Sequence, residues 1–132
     1  MPVTYRIDVA AKIIRTTCGS PLTLEDVIGH FRTLGTDPDC SGRLDVFLDV
    51  SEVDRVPESS QFAAMKAEIA VLRGKVQFGT CAIFATRDAM FGMMRVFEVV
   101  TQPYFAATRV FRDKLEAEAW LASRNPTSNP EP

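Results

Sequence analysis

The sequence predicts a single two-layer α/β domain whose mixed sheet has four or five strands and four helices packed mainly on one face. Two segments with the two-residue alternation of strands come first, and segments with helical spacing of apolar residues then alternate with short apolar runs. Strands and helices that alternate along a chain form parallel β–α–β units. The length of 132 residues suits one domain, which we expect to occupy residues 1–124.

The chain begins with two segments that predict an antiparallel hairpin. Val3–Asp8 alternates apolar and polar residues, and residues 11–17 carry adjacent isoleucines and paired threonines, which favour strands. Because the two segments lie so close together, we expect a tight turn near residues 9–10.

The first helix is predicted to begin at Thr23. An acidic residue, Asp26, follows three positions later, which resembles a capping box. Gly35 follows an apolar stripe with i, i+3, i+4, i+7 spacing and predicts the helix end in a left-handed conformation. The single histidine, His30, lies on this helix. We expect it to face solvent or act as a cap, since no serine–histidine or cysteine–histidine spacing indicates catalysis.

Three more strands alternate with helices along the rest of the chain. Residues 44–50 alternate in polarity, and residues 78–85 are nearly all apolar or small, which is typical of a strand covered on both faces. A stripe of apolar residues between them predicts a helix over residues 61–73. A helix over residues 88–102 and a strand over Ala107–Phe111 follow.

Asp113 and Glu116 predict the start of a last helix, with the aspartate as its N-cap. We expect this helix to continue through Ala122. Residues 125–132 offer no apolar side chain to bury, and we expect them to form a disordered tail. The predicted order of elements is therefore ββαβαβαβα.

Composition and charge exclude several classes of function. Hydrophobic residues make up 46% and charged residues 24%, as in ordinary globular proteins, and the formal net charge of -2 offers no basic field for nucleic acid. The cysteines, Cys18, Cys40 and Cys81, have no C-x-x-C spacing, which argues against a disulfide framework or a zinc site. No segment of the sequence is apolar for long enough to span a bilayer. We therefore expect a cytoplasmic protein that has no nucleic-acid partner, metal or cofactor.

Three stretches carry a resemblance to a known family. They are residues 44–53 (Leu-Asp-Val-Phe-Leu-Asp-Val-Ser-Glu-Val), residues 89–98 (Ala-Met-Phe-Gly-Met-Met-Arg-Val-Phe-Glu) and residues 110–121. With the element order, they resemble the SpoIIAA-like proteins within the wider STAS (anti-sigma-factor antagonist) and CRAL-TRIO/SEC14-like fold group. The resemblance covers residues 5–123, and because its motifs are mostly structural it implies the fold more than an activity.

The resemblance implies a regulated serine in the loop after the third strand. In STAS domains a strand ending Leu-Asp-x-Ser precedes a loop ending Asp-Ser-Ser-Gly, in which a partner kinase can phosphorylate a serine. Residues 48–51 match the strand end, and Glu-Ser-Ser-Gln at residues 58–61 stands in the place of the second motif. Ser59 and Ser60 are therefore candidate phosphoacceptors, and the alternative is that one of these serines caps the following helix.

A second candidate site lies where the predicted parallel strands end. Ligands of open α/β sheets collect at this edge, and the strand ends carry Asp49, Ser51 and Arg87. If the two strands are neighbours, Arg87 can pair with Asp49 or bind an anionic group. The alternative is an exposed salt bridge of marginal energy.

The helix over residues 88–102 has more apolar surface than a two-layer domain obviously needs. It is rich in methionine, which suits adaptable binding surfaces, and Gly92 in its interior predicts close approach of another backbone or a ligand. The candidate surface for an apolar ligand or a partner consists of Met90, Phe91, Met94 and Phe97. The alternative is a core helix packed between the sheet and a neighbouring helix.

We predict a non-enzymatic binding or regulatory module that acts by binding a protein partner, as the resemblance implies. The alternative is a carrier of a small apolar or lipid-like ligand, held between the sheet and the helix over residues 88–102. A homodimer through that helix is a further expectation. No nucleophile–base pair is visible in the sequence, so we assign no catalytic residue.

Overall fold

The computed structural model describes residues 2–55 and 57–124 as a five-stranded mixed sheet with four α-helices. The strands are β1 (Val3–Asp8), β2 (Ile13–Cys18), β3 (Gly42–Asp49), β4 (Val76–Phe84) and β5 (Ala107–Phe111). The helices are α1 (Leu24–Thr36), α2 (Phe62–Leu72), α3 (Asp88–Val100) and α4 (Lys114–Arg124). The predicted α/β class and element order are confirmed. The tail predicted at residues 125–132 lies outside the described residues.

The strands lie in the sheet in chain order. β1 pairs antiparallel with β2, and the remaining neighbours are parallel. Each parallel crossover steps to the next strand in the same direction, which the usual right-handed rule turns into helices on one face, and the buried side chains of α1, α2 and α3 do share one core cluster. α4 crosses the opposite face, where Ala117 and Leu121 pack with Phe47 and Phe111. Helices therefore lie mainly on one face, as predicted.

The main core lies between the sheet and the three helices that share a face. The buried residues of α2 are Phe62, Met65, Ile69 and Leu72. The buried residues of α3 are Met90, Met94 and Phe97. In contrast, α1 buries Leu34 alone, although several of its apolar side chains point toward the sheet and are partly buried. α1 therefore covers the sheet less closely than α2 and α3 do.

The predicted N-terminal cap of α1 is confirmed. The Thr23 hydroxyl accepts a hydrogen bond from the Asp26 N–H at 3.1 Å, and the Asp26 carboxylate accepts from the Thr23 N–H at 3.0 Å. This reciprocal pair satisfies two backbone donors that the first turn would leave unpaired.

The predicted end of α1 is wrong, because the helix continues through Gly35 to Thr36. The side chain that makes this possible is Lys75, whose ammonium group donates to the carbonyl oxygens of Leu34, Gly35 and Asp37 at 3.2, 3.0 and 2.6 Å. The Leu34 carbonyl also accepts from the Asp37 N–H at 3.2 Å, and the Asp37 carbonyl also accepts from the Cys40 N–H at 3.0 Å, so the cation adds to backbone bonds that end the helix. The helix therefore needs no left-handed glycine to end.

Asp113 caps α4 as predicted. Its carboxylate accepts a hydrogen bond from the Glu116 N–H at 3.0 Å. The helix continues to Arg124 rather than ending at Ala122. Among the described helices, none is long and apolar enough to cross a membrane.

The close approach expected at Gly92 is wrong. Gly92 is exposed on α3, and no atom lies within 4 Å of the position that a Cβ would take. The apolar spacing of the sequence does not show which side of this helix the sheet covers. The glycine therefore lowers the helix propensity of α3 without making room for a neighbour.

We expect Gly92→Ala to raise the free energy of unfolding by about 0.5–1 kcal/mol, because alanine restricts the unfolded chain and meets no steric obstacle here. Urea denaturation followed by circular dichroism measures the change. Gly29→Ala on α1, where the added methyl group also meets open space, is the matched control. A loss of stability at Gly92 alone would show that another molecule covers this side of α3 in solution.

Candidate functional site

A cavity of about 470 Å³ lies between the helix-covered face of the sheet and the helices α1 and α2. Its lining is mostly apolar and comes from β1, β2, β3, β4 and all three helices of that face. Val46 and Leu48 form part of the lining and are only partly buried, although they lie in the central strand β3. A volume of this size is typical of sites for small organic molecules.

The position of α1 explains why the cavity exists. Leu24, Val27 and Phe31 line the cavity from this helix, and each is only partly buried. Lys75 fixes the C-terminal end of α1, as described above. Before its N-terminal end, the Ser20 hydroxyl lies 3.1 Å from the Glu52 carbonyl oxygen and accepts from the Asp54 N–H at 2.9 Å. The helix is thus held at both ends, and its side chains leave space above the sheet.

The cavity opens at the edge where the parallel strands end. Its exposed lining residues are Thr23, Arg55 and Glu58. Thr23 follows the carboxyl end of β2, and the other two follow the carboxyl end of β3, which lies beside it. The sequence predicted ligand binding at this edge, where open α/β sheets hold their ligands.

His30 lines the cavity, so the expectation that it faces solvent or caps a helix is wrong. Its ring packs against the Tyr5 ring at a centroid distance of 5.3 Å and against the Phe31 ring at 5.5 Å. Burial lowers the pKa of His30 to about 4, so the imidazole is neutral near pH 7. Helical spacing alone could not reveal this environment, because it depends on the space left under α1.

Thr16 adds a second polar group to the lining. It lies on β2 between Ile14 and Cys18 in the strand alternation, and it is buried on the helix-covered face. Thr16 is directly opposite Tyr5 in the sheet. Within the residues that the structure describes, neither the Thr16 hydroxyl nor the His30 imidazole forms a hydrogen bond. The Tyr5 hydroxyl, in contrast, donates to Asp37 at 2.6 Å.

Two buried thiols complete the polar part of the lining. Burial, together with the charge of Asp49, raises the pKa of Cys18 to about 12. Burial also raises the pKa of Cys81 far above its ordinary value. Both side chains are therefore protonated at neutral pH and are poor nucleophiles or metal ligands. In the described part of the chain, no group of three or more histidine, cysteine or acidic side chains is arranged to hold a metal ion.

The structure divides the surface that the sequence predicted on α3. Met90, Met94 and Phe97 are buried and line the cavity, whereas Phe91 packs outside it under the guanidinium group of Arg112, 4.3 Å from the ring centroid. The large apolar side chains of α3 that remain exposed are Val96 and Val99. The domain itself therefore covers most of the large apolar side chains of α3.

The predicted strand-end residues do not form one cluster. Asp49 accepts hydrogen bonds from the N–H and the hydroxyl of Ser51, at 2.9 and 2.6 Å. Arg87 donates instead to the Val53 carbonyl oxygen at 3.3 Å and does not pair with Asp49. β3 and β4 are neighbours, which an ion pair between Arg87 and Asp49 would require. The Asp49 carboxylate, however, is bonded to Ser51 in the turn that follows β3.

Ser59 and Ser60 are exposed in a short 3₁₀ helix, Ser59–Gln61, that precedes α2. Neither hydroxyl caps α2, whose first turn has no side-chain cap, so the interpretation of these serines as caps is wrong. The Ser60 hydroxyl lies 3.5 Å from the Glu58 carboxylate. A role for either serine as a phosphoacceptor stays a prediction.

Comparison with protein-family models, with curated proteins and with solved structures found no match to this chain. The resemblance to SpoIIAA-like and STAS proteins therefore stays a prediction.

Proposed function

We propose that this protein binds a small, mostly apolar molecule in the cavity beneath α1. The observation that carries the proposal is a cavity of about 470 Å³ whose charged lining residues, Arg55 and Glu58, both follow β3 at its mouth. Deeper in the cavity the lining is aliphatic, aromatic or sulfur-containing apart from a few neutral polar groups. Such a lining favours hydrocarbon over water.

The energetics of an empty cavity support the same proposal. The cavity opens to solvent at its mouth, so water can enter it, but water in its apolar interior is released favourably to an apolar occupant. A water molecule is held in such a space only where two or more polar partners bond it. Few such partners are present among the lining residues, so an apolar occupant is the better match.

Partner binding, which the resemblance implied, stays a prediction. Three of the four α3 residues predicted to form the partner surface are buried. The exposed valines, Val96 and Val99, offer much less than the contiguous patch of a few hundred Å² that marks a protein interface. We therefore rank ligand binding above partner binding.

The experiment is a titration with N-phenyl-1-naphthylamine, a neutral apolar dye whose fluorescence rises in apolar surroundings. We expect saturable binding to the wild-type protein. Val27→Phe places a ring in the cavity and is expected to weaken binding at least about tenfold. Val71→Phe, the same change at a position of α2 that is 76% exposed, is the matched control and should leave the affinity unchanged.

Circular dichroism and thermal denaturation first establish that both variants fold. Absence of saturable dye binding to the wild-type protein would overturn the proposal. Equal dye affinity of the two folded variants would also overturn it, because the dye would then bind elsewhere. Native mass spectrometry of freshly purified protein tests for an endogenous ligand, which we expect as additional mass that is lost on denaturation.

A further inference from the structure

We infer that the ligand carries an uncharged hydroxyl group, which His30 and Thr16 hold in the wall of the cavity beside β1. This inference rests on the proposed function and specifies the chemical class of the ligand. It starts from two polar side chains that face an apolar cavity without a protein partner.

Tyr5 places the two groups on the same wall. Thr16 is its cross-strand partner, and directly opposite residues have Cβ atoms about 5 Å apart. The Tyr5 ring also meets the His30 ring edge to face. Because the Tyr5 hydroxyl is bound to Asp37, it does not satisfy either neighbour. Thr16 and His30 therefore flank one side chain and are both available to a ligand.

The chemistry of this pair selects an uncharged partner. A neutral imidazole offers one donor and one acceptor, and a threonine hydroxyl offers a donor and acceptor lone pairs. A ligand hydroxyl can donate to one of them and accept from the other, whereas an ether or carbonyl oxygen can only accept. A charged head group would lie away from Arg55 and Glu58 without a counter-charge, which is costly in an apolar lining. A pure hydrocarbon would leave both protein groups unpaired.

The test is displacement of the bound dye at pH 7.5 by four probes of similar length: decan-1-ol, 1-methoxynonane, decanoate and decylammonium. For the wild-type protein we expect decan-1-ol to displace the dye at a concentration at least about fivefold lower than its ether analogue, because the ether cannot donate. The two charged probes should be weaker than the alcohol.

Thr16→Val and His30→Leu remove the proposed partners, and in both we expect the ratio between ether and alcohol to fall toward one. Thr17→Val is the matched control on the same strand, at an exposed position outside the cavity lining, and should keep the wild-type ratio. Thr16→Val preserves the side-chain shape, so it tests the inference even if His30→Leu does not fold.

The outcomes separate this inference from the function on which it rests. If the dye does not bind to the wild-type protein, the proposed function fails. If the dye binds but the alcohol has no advantage over the ether, or a charged probe binds best, the cavity is a ligand site and the inference is overturned. A ratio that Thr16→Val and His30→Leu leave unchanged also overturns it.

Discussion

Gly79→Ala is expected to lower the free energy of unfolding by about 3 kcal/mol, because a methyl group at this position collides with a buried carboxylate. A Cβ built at Gly79 overlaps the Asp45 carboxylate and the Arg43 guanidinium group. The arginine end can move, but Asp45 is fully buried and has a short side chain. The substitution therefore has to displace Asp45 or shift β4.

The arrangement around Asp45 makes this displacement costly. β3 and β4 shift register between Leu44 and Val46, so β4 accommodates one extra residue at this point. The Asp45 carboxylate accepts a hydrogen bond from the Thr80 N–H at 2.8 Å and pairs with Arg43 at 3.0 Å. Moving the carboxylate would loosen both contacts at a side chain that is fully buried, where an unsatisfied charge is most expensive.

Chemical denaturation measures the loss, and thermal denaturation should show a fall in Tm of about 10 °C. Gly92→Ala, the same substitution at an open position, is the control and should have the opposite sign. A double-mutant cycle with Asp45→Ala identifies the cause, since Gly79→Ala should cost much less where the carboxylate is absent. Equal costs in both backgrounds would show that Arg43 or the backbone of β4, rather than Asp45, is responsible.

Much of the fold could be predicted because its signals are local. The alternation of Val3–Asp8 and the Thr23–Asp26 pair each depend on residues that are close in sequence, and both predictions are confirmed. The prediction of where α1 ends was wrong for the opposite reason. The end of the helix depends on Lys75, which follows β3 and α2 in the chain. No residue close to Gly35 in the sequence indicates this contact.

The site was only partly predictable for the same reason. The carboxyl edge of the sheet follows from the element order, and the cavity does open there. Its volume, however, depends on how closely α1 approaches the sheet, which is set by anchors at Ser20 and Lys75 rather than by the apolar stripe itself. His30 consequently looked like a surface residue in the sequence, whereas the fold places it in the lining of the cavity.

His30 is expected to make the protein lose about 3 kcal/mol of stability as the pH falls from 6.5 to about 4. In the unfolded chain the imidazole titrates at its ordinary pKa of 6.5, whereas burial lowers its pKa to about 4 in the folded protein. Between these two values the unfolded state binds more protons than the folded state. The free energy of unfolding therefore rises with pH across this window and is lost as the pH falls through it.

The groups around His30 change charge outside this pH window, so the change in stability within it comes from the imidazole. Burial and the nearby Asp37 carboxylate raise the pKa of Tyr5 to about 12, so the tyrosine stays protonated throughout. The hydrogen bond from Tyr5 lowers the pKa of Asp37 below its ordinary value of 3.8, so Asp37 loses its charge only below the window. Phe31, the other ring in contact with His30, does not titrate.

Urea denaturation of the wild-type protein and of His30→Gln at several pH values between 4 and 7 measures the effect. The carboxylates contribute equally to both proteins. The difference between their two curves of unfolding free energy against pH therefore gives the contribution of the imidazole. We expect wild-type stability to fall relative to the variant as the solution is acidified. Parallel curves would contradict this expectation, because they would mean that water already reaches the imidazole in the folded protein. In that case the wall beside β1 would be wet, and the cavity would have less capacity for an apolar occupant than its lining indicates.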